Sequence, residues 1–246
     1  MILICKMLEI LYHDVHLIAI NKPPGLLVHR SPIARDVSEF AVQTLRNQIG
    51  QKVFPTHRLD RKTSGVLLFA LTPEINARVM KLFAEKLMEK SYVAIVRGYT
   101  EDHGRIDYPL KHESGKLQEA ISEYVTLGRS EINVSFGKHK TSRYSLVSIS
   151  PKTGRKHQIR KHFAHIMHPI IGDRPHGCNK QNRLFKDRWG MTDMLLHAEA
   201  LNFVHPATGQ PIALHATPSA TFMQMLSLMS FSLPAPKDQP YRTETP

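Results

Sequence analysis

Cysteine is nearly absent: Cys5 and Cys178 are the only two among 246 residues. They stand far apart, give neither a disulfide framework nor metal-site spacing, and suit a reducing cytoplasm. Long hydrophobic runs are missing too. The longest unbroken apolar stretch, residues 66–71, falls well short of the roughly 20 residues a membrane helix needs, so no membrane association is expected. Residues 1–12 carry Lys6 and Glu9 and no small-residue cleavage pattern, which argues against a secretory signal. Acidic residues are the third scarcity. Against 33 Lys plus Arg there are 21 Asp plus Glu, a formal charge of +12 and a sequence pI of about 9.8. Such an excess of cations fits a polyanionic partner, because phosphate contacts supply most sequence-independent affinity for nucleic acid, although charge alone also fits a merely basic protein.

What is present has ordinary globular composition, 41% hydrophobic and 22% charged, in a length that buries a full core. Residues 17–20, 66–71, 92–96 and 144–149 are short runs of branched and aromatic residues bounded by turn formers, and read as strands. Thr72-Pro73-Glu74 reads as an N-cap, a first-turn proline and an acidic first turn, opening a helix that the spacing of Ile75, Val79, Leu82 and Phe83 carries to about Lys90. A second amphipathic stretch covers residues 33–49, with Gly50 just past its end. A third covers 156–168, with Ile159, Phe163 and Ile166 on one stripe and His157, Lys161 and His165 on the other. Residues 101–141 and 174–192 are polar and weakly patterned and read as surface excursions. Strands and helices do not alternate regularly, so the expected fold is α+β with a mixed, mostly antiparallel sheet flanked by helices. One domain over residues 8–233 is expected, followed by a proline-bearing disordered tail over 234–246.

The segment most informative about chemistry is His57-Arg58-Leu59-Asp60-Arg61-Lys62-Thr63-Ser64-Gly65. It sets one carboxylate among cations, which favour its ionised form, and a Thr-Ser-Gly turn that fixes its direction. An oriented carboxylate is a nucleophile or a base; a salt-bridged turn residue is the plainer reading of Asp60 on its own. Thr153-Gly154-Arg155-Lys156-His157-Gln158-Ile159-Arg160 is a second basic turn entering a helix, and Arg160 lies one helical turn past Lys156, able to reach a carboxylate with its planar fork. His157, His162, His165 and His168 crowd one stretch, yet no Cys or carboxylate closes a tetrahedral set, so no metal is expected.

These segments resemble the RluA-type pseudouridine synthases. His57–Gly65 is similar to their HRLDxxTSG signature, and Thr153–Arg160 to their later TGRxHQxR motif. In order there follow matches at Asn21-Lys22-Pro23-Pro24-Gly25, Lys90-Ser91-Tyr92-Val93-Ala94, His168-Pro169-Ile170-Ile171-Gly172-Asp173 and Leu195-Leu196-His197-Ala198. The resemblance implies the pseudouridine synthase catalytic fold and the isomerisation of a specific uridine. It gives Asp60 the role of catalytic aspartate, Arg160 that of its paired arginine and Tyr92 that of the tyrosine stacked on the target base. Arg58 matches a side chain that enters the RNA when the uridine leaves its stack, and Ile171 an apolar contact to the base. Val28-His29-Arg30-Ser31 further resembles the members that act on tRNA at position 65, in the T stem.

With 20 residues before Asn21, no separate N-terminal RNA-binding domain is expected, and recognition of tRNA falls to the catalytic domain. The reaction breaks an N–C bond to ribose and remakes a C–C bond, so no cofactor is expected. One carboxylate serves it, whereas glycoside hydrolysis typically needs two. A synthase acting on ribosomal RNA and a non-catalytic RNA clamp are the competing readings.

Overall fold

The computed structural model describes residues 7–29 and 39–235. In chain order the elements are β1 (Glu9–His13), β2 (Leu17–Lys22), α1 (Ala41–Ile49), β3 (Phe54–Pro55), β4 (Ser64–Ala70), α2 (Pro73–Ala84), β5 (Glu89–Arg97), β6 (His103–Asp107), β7 (Leu110–Lys111) and β8 (Leu117–Gln118). There follow β9 (Ile121–Ile132), β10 (Ser142–Pro151), α3 (Gln158–His165), α4 (Asn179–Trp189), β11 (Leu196–Val204), β12 (Pro211–His215) and α5 (Ala220–Leu228). The fold is α+β, and the ladders β1–β2, β2–β4, β3–β4, β5–β10, β9–β10, β6–β9 and β11–β12 are all antiparallel. Two compact units divide the chain, one holding Met1–Glu89 and Ala198–Thr217, the other Lys90–His197 and Pro218–Ala235. The expected tail lies almost wholly outside the described residues, as do residues 33–38 of the second amphipathic stretch; its described part is α1.

In the first unit β4 is buried along its whole length, which is why residues 66–71 are uninterruptedly apolar. Val66, Leu68 and Ala70 pack with Leu17 and Ala19 of β2 and with Ile75 and Val79 of α2. The Thr72 side chain accepts a hydrogen bond from Ile75 N at 3.3 Å, so α2 begins at the expected cap. It stops six residues short of Lys90. Lys86 takes the left-handed conformation (φ 60°), Lys86 N donates to Phe83 O, and Leu87 N donates to Leu82 O. This is a Schellman closure built on lysine where glycine is the usual signal, so no stop is legible there from residue type.

In the second unit alternate residues of β5 go to opposite faces. Val93 and Ile95 pack with Tyr144, Leu146, Phe185, Phe222 and Met225, while Ala94 and Val96 pack with Val147, Ile149, Ile159 and Phe163. α4 and α5 thus cover one face and α3 the other. Residues 101–141, read as a surface excursion, instead supply β6 to β9, with β9 twelve residues long. The polar pattern arises because charged side chains such as Glu123, Arg129 and Glu131 project from β9 to solvent or half-burial. The other presumed excursion, 174–192, contains α4, anchored by buried Gln181 and Phe185.

Gly65 is a position where backbone geometry requires glycine: φ is 111°, and a Cβ there would stand 2.1 Å from Ala198 O. Gly65→Ala is expected to cost about 3 kcal/mol of stability or more. Urea unfolding of the two proteins measures it, and a loss under ~1 kcal/mol would contradict the close approach.

Candidate active site

Asp60 is half-buried in the turn that enters β4, closed by Thr63 N donating to Asp60 O at 3.0 Å. Leu59 and Thr63 on either side are buried, which leaves the carboxylate little freedom of direction. His57 orients this loop: its Nε2 accepts from Leu68 N at 3.1 Å, and its ring lies 5.1 Å from that of Phe83. With Nε2 an acceptor from backbone, the neutral tautomer carries its proton on Nδ1. Arg58 is exposed.

A residue to which the sequence assigned no role holds this loop in place. Lys22, the last residue of β2, is fully buried, and its ammonium donates to Pro23 O (2.9 Å), Leu26 O (2.9 Å) and Arg61 O (3.1 Å). Three N–H bonds meet three carbonyls, so the ammonium is fully satisfied without a carboxylate contact. Gly25 N also donates to Arg61 O, and Arg61 Nε donates back to Gly25 O. The Pro-Pro-Gly segment and the Asp60 turn are therefore one knitted structure. Burial pushes the Lys22 pKa down to about 7, against the charge of Asp60, which favours the ammonium.

Arg160 lies in the first turn of α3, almost wholly buried. Its Nε and Nη2 donate to Oδ2 and Oδ1 of Asp173, both at 2.8 Å, with the side chains 8% and 1% exposed. Two parallel N–H bonds thus run from Arg160 to Asp173, a residue that sequence reasoning left without a role. Its only signal was its place at the end of the His168–Asp173 motif. His176 N donates to Asp173 Oδ1, and Asn182 Nδ2 donates to Asp173 O. The preceding turn is closed by Gln158, whose Oε1 accepts from Thr153 Oγ1 (2.7 Å) and Arg155 N (2.9 Å) while Nε2 donates to Ile121 O and Ser122 Oγ. His157 caps α3 with φ 56°, so the helix is shorter at both ends than 156–168.

Tyr92 is half-buried on β5, opposite Ile149 of β10. Ile171 is 2% exposed and belongs to the core; its N–H donates to Ile95 O at 3.0 Å, three residues along β5 from Tyr92. Lys90, which begins that motif, is half-buried with Nζ directed at Thr153 O (3.4 Å), and desolvation lowers its pKa. The crowded histidines have separate partners. His162 meets Ser122 Oγ and Tyr108 O, His165 stacks on Tyr108 at 3.7 Å, His168 Nδ1 meets Arg97 O, and His157 meets His176. Among the described residues no three His, Cys, Asp or Glu side chains are grouped to hold a metal ion, and no helix is long and apolar enough to cross a membrane.

The fold is that of a pseudouridine synthase domain. Human RNA pseudouridylate synthase domain containing 1 superposes with a TM-score of 0.70 over 92% of this chain and 88% of that one, at 23% identity. The family model for RNA pseudouridylate synthase matches residues 16–165, and the chain belongs to that family. It is accordingly an isomerase of uridine in RNA. Among its relatives is a tRNA pseudouridine synthase C of Vibrio parahaemolyticus, 48% identical over 231 residues that cover 89% of this chain and 94% of the relative. A protein of the same name from Haemophilus influenzae is 46% identical over 232 residues, covering 90% and 97%.

The buried Lys22 makes stability depend on pH with a defined sign. Its folded pKa of about 7 lies below the ~10.4 of an unfolded lysine. Between these values the unfolded chain binds a proton that the folded chain releases, so this group makes stability rise with pH; below about 7 its penalty is present in full. The stability of the parent minus that of Lys22→Met should increase from pH 7 to 9, with a slope approaching ~1.4 kcal/mol per pH unit. Urea unfolding at several pH values measures it, and a flat difference would show that the lysine binds its proton equally in both states.

Proposed function

We propose that this chain converts a uridine of tRNA, at position 65 in the T stem, to pseudouridine, with Asp60 as the group that does the chemistry. The carrying observation is the likeness to relatives named tRNA pseudouridine synthase C, at 46–48% identity over about nine-tenths of the chain. The Val28-His29-Arg30-Ser31 stretch supports the position; its last two residues lie outside the described ones. In this reading the ionised Asp60 attacks the sugar or the base, or removes a sugar proton. All three routes break the N–C bond, let the base turn, and form the new C–C bond without an electron carrier, so no cofactor is required.

Chemistry on a stacked base requires its extrusion. Tyr92 stacks on the extruded uracil, Arg58 enters the vacated space in the RNA, and Ile171 belongs to the apolar wall near the base. Arg160 is the cation paired with Asp60. The Asp173 grip supports this role because two bonds to one carboxylate hold the guanidinium plane in a fixed direction. The cation excess serves the tRNA backbone, and cytoplasmic tRNA is the substrate pool.

Asp60→Asn should abolish turnover and leave tRNA affinity largely intact, because it removes the reacting charge and no phosphate-binding cation. The test adds parent or variant to total RNA from a strain lacking the protein and maps pseudouridine chemically. Restoration at tRNA position 65 by the parent alone is expected. A modification confined to ribosomal RNA would overturn the substrate, and near-parental activity of Asp60→Asn would overturn the assignment of the aspartate.

A further inference from the structure

Two sets of cations in the second unit contrast. On and beside the paired strands β6, β9 and β10, five are neutralised locally: Arg105 by Asp107 and Glu123, Arg129 by Asp102, Arg143 by Glu131, Lys152 by Glu123 and Lys156 by Glu113. Lys138 and Lys140 in the hairpin loop and Lys111 and Lys116 are exposed and, among the described residues, unpaired, but scattered on loops and a two-residue strand. The cations of α4 lie together and are not neutralised locally. Lys180, Arg183, Lys186 and Arg188 are exposed, Asp187 is the helix's only acid, and among the described residues none of the four forms an ion pair. Arg174 is exposed just ahead of the helix.

Helix-terminus electrostatics explain part of this set. Lys186 and Arg188 sit in the last turn, where cations complement the exposed carbonyls, and Arg188 also lies 5.9 Å from the Trp189 ring centroid. Lys180 and Arg183 have no such account. They lie toward the positive end of the helix, three residues apart, where like charges repel, and the first turn contains no acid to offset them. At 100° per residue they project from the side opposite the buried Phe185, and Lys186 widens the same face; Asp187, four residues past Arg183, is the one acid on it, so the face carries three cations against one carboxylate.

We propose that this face of α4 is a docking surface for the phosphate backbone of double-helical RNA. An anion repeated along a rigid strand removes the repulsion that the free helix bears and is complementary in charge to a face on which three cations lie along one helix. The helix is also tied to the site. Asn182 Oδ1 accepts from Gly172 N at 2.9 Å and its Nδ2 donates to Asp173 O at 2.7 Å, so α4 is bonded to the loop whose carboxylate grips Arg160. RNA held on α4 is therefore held in fixed relation to that arginine. The proposal deepens the tRNA reading given above and rests on it for its physiological partner.

The test compares two triple variants that each lower the net charge from +12 to +9, K180Q/R183Q/K186Q on α4 and R105Q/R129Q/R143Q on the hairpin. Gln has nearly the helix propensity of Lys and Arg, so α4 should persist, and thermal unfolding checks it. The probes are a 20-base-pair RNA duplex and a tRNA transcript, with Kd measured from 50 to 300 mM salt. Each lost phosphate contact flattens the log–log salt dependence by about 0.7–0.9. The α4 variant should flatten it by about 2, bind at least ~10-fold more weakly near physiological salt, and keep the parent's single-turnover rate at saturating tRNA. The hairpin variant should change the slope by less than ~1. An α4 slope equal to the parent's would overturn the proposal, and equal flattening by both variants would show that only net charge matters. Loss of binding to phosphatidylserine vesicles with RNA binding intact would also overturn it, in favour of a membrane partner. The duplex keeps the two readings separable: if the parent leaves tRNA unmodified while α4 still governs duplex binding, the tRNA reading fails and the docking surface stands.

Discussion

The Asp60 turn depends on one buried ammonium. Lys22 has no exposed surface, and its three N–H groups meet three backbone carbonyls, one of them on Arg61 beside Asp60. A buried cation with a missing acceptor is costly, so the segment after β2 and the turn before β4 must keep the positions that supply all three. Antiparallel pairing of Lys22 with Gly65 fixes the same two segments from the strand side. The Asp60 carboxylate is consequently aimed by backbone on both sides of it.

The second unit solves a similar problem with an ion pair. Arg160 and Asp173 are withdrawn from water together, and the two-point geometry and the backbone bonds around Asp173 compensate their desolvation. A pair of this kind is weak evidence for stability and better evidence for fixed direction. Its neighbours are organised to the same end: Gln158 bonds two polar groups of the turn that precedes Arg160 and two of β9, and α4 clamps the loop that bears Asp173.

Much of this was legible in the sequence wherever apolar pattern and turn chemistry coincide. The four strands read from residues 17–20, 66–71, 92–96 and 144–149 are β2, β4, β5 and β10, because each is covered by packed side chains and so needs an apolar run. The Thr72 cap was legible because its side chain makes the bond. The end of α2 was not, since Lys86 adopts a conformation that glycine usually marks. Nor was β9, whose charged side chains mask its strand pattern. At the site, the motif residues were visible and their supports were not. Lys22, Lys90 and Asp173 act by burial and by bonding to backbone carbonyls or to another side chain, and nothing in a one-dimensional pattern distinguishes a buried lysine from a solvated one.

The fixed direction of Arg160 has meaning only if the guanidinium acts on the chemistry. The most direct measurement is the single-turnover rate of pseudouridine formation at saturating tRNA for Arg160→Ala and Arg160→Lys, in proteins whose folding is checked by circular dichroism. Loss of the planar fork should slow the step by ~100-fold or more in the alanine variant, the scale on which one preorganised electrostatic contact acts. Lysine should recover only part of the rate, because it keeps the charge without the two-point grip. A parental rate for folded Arg160→Ala, with only tRNA affinity reduced, would contradict the catalytic role.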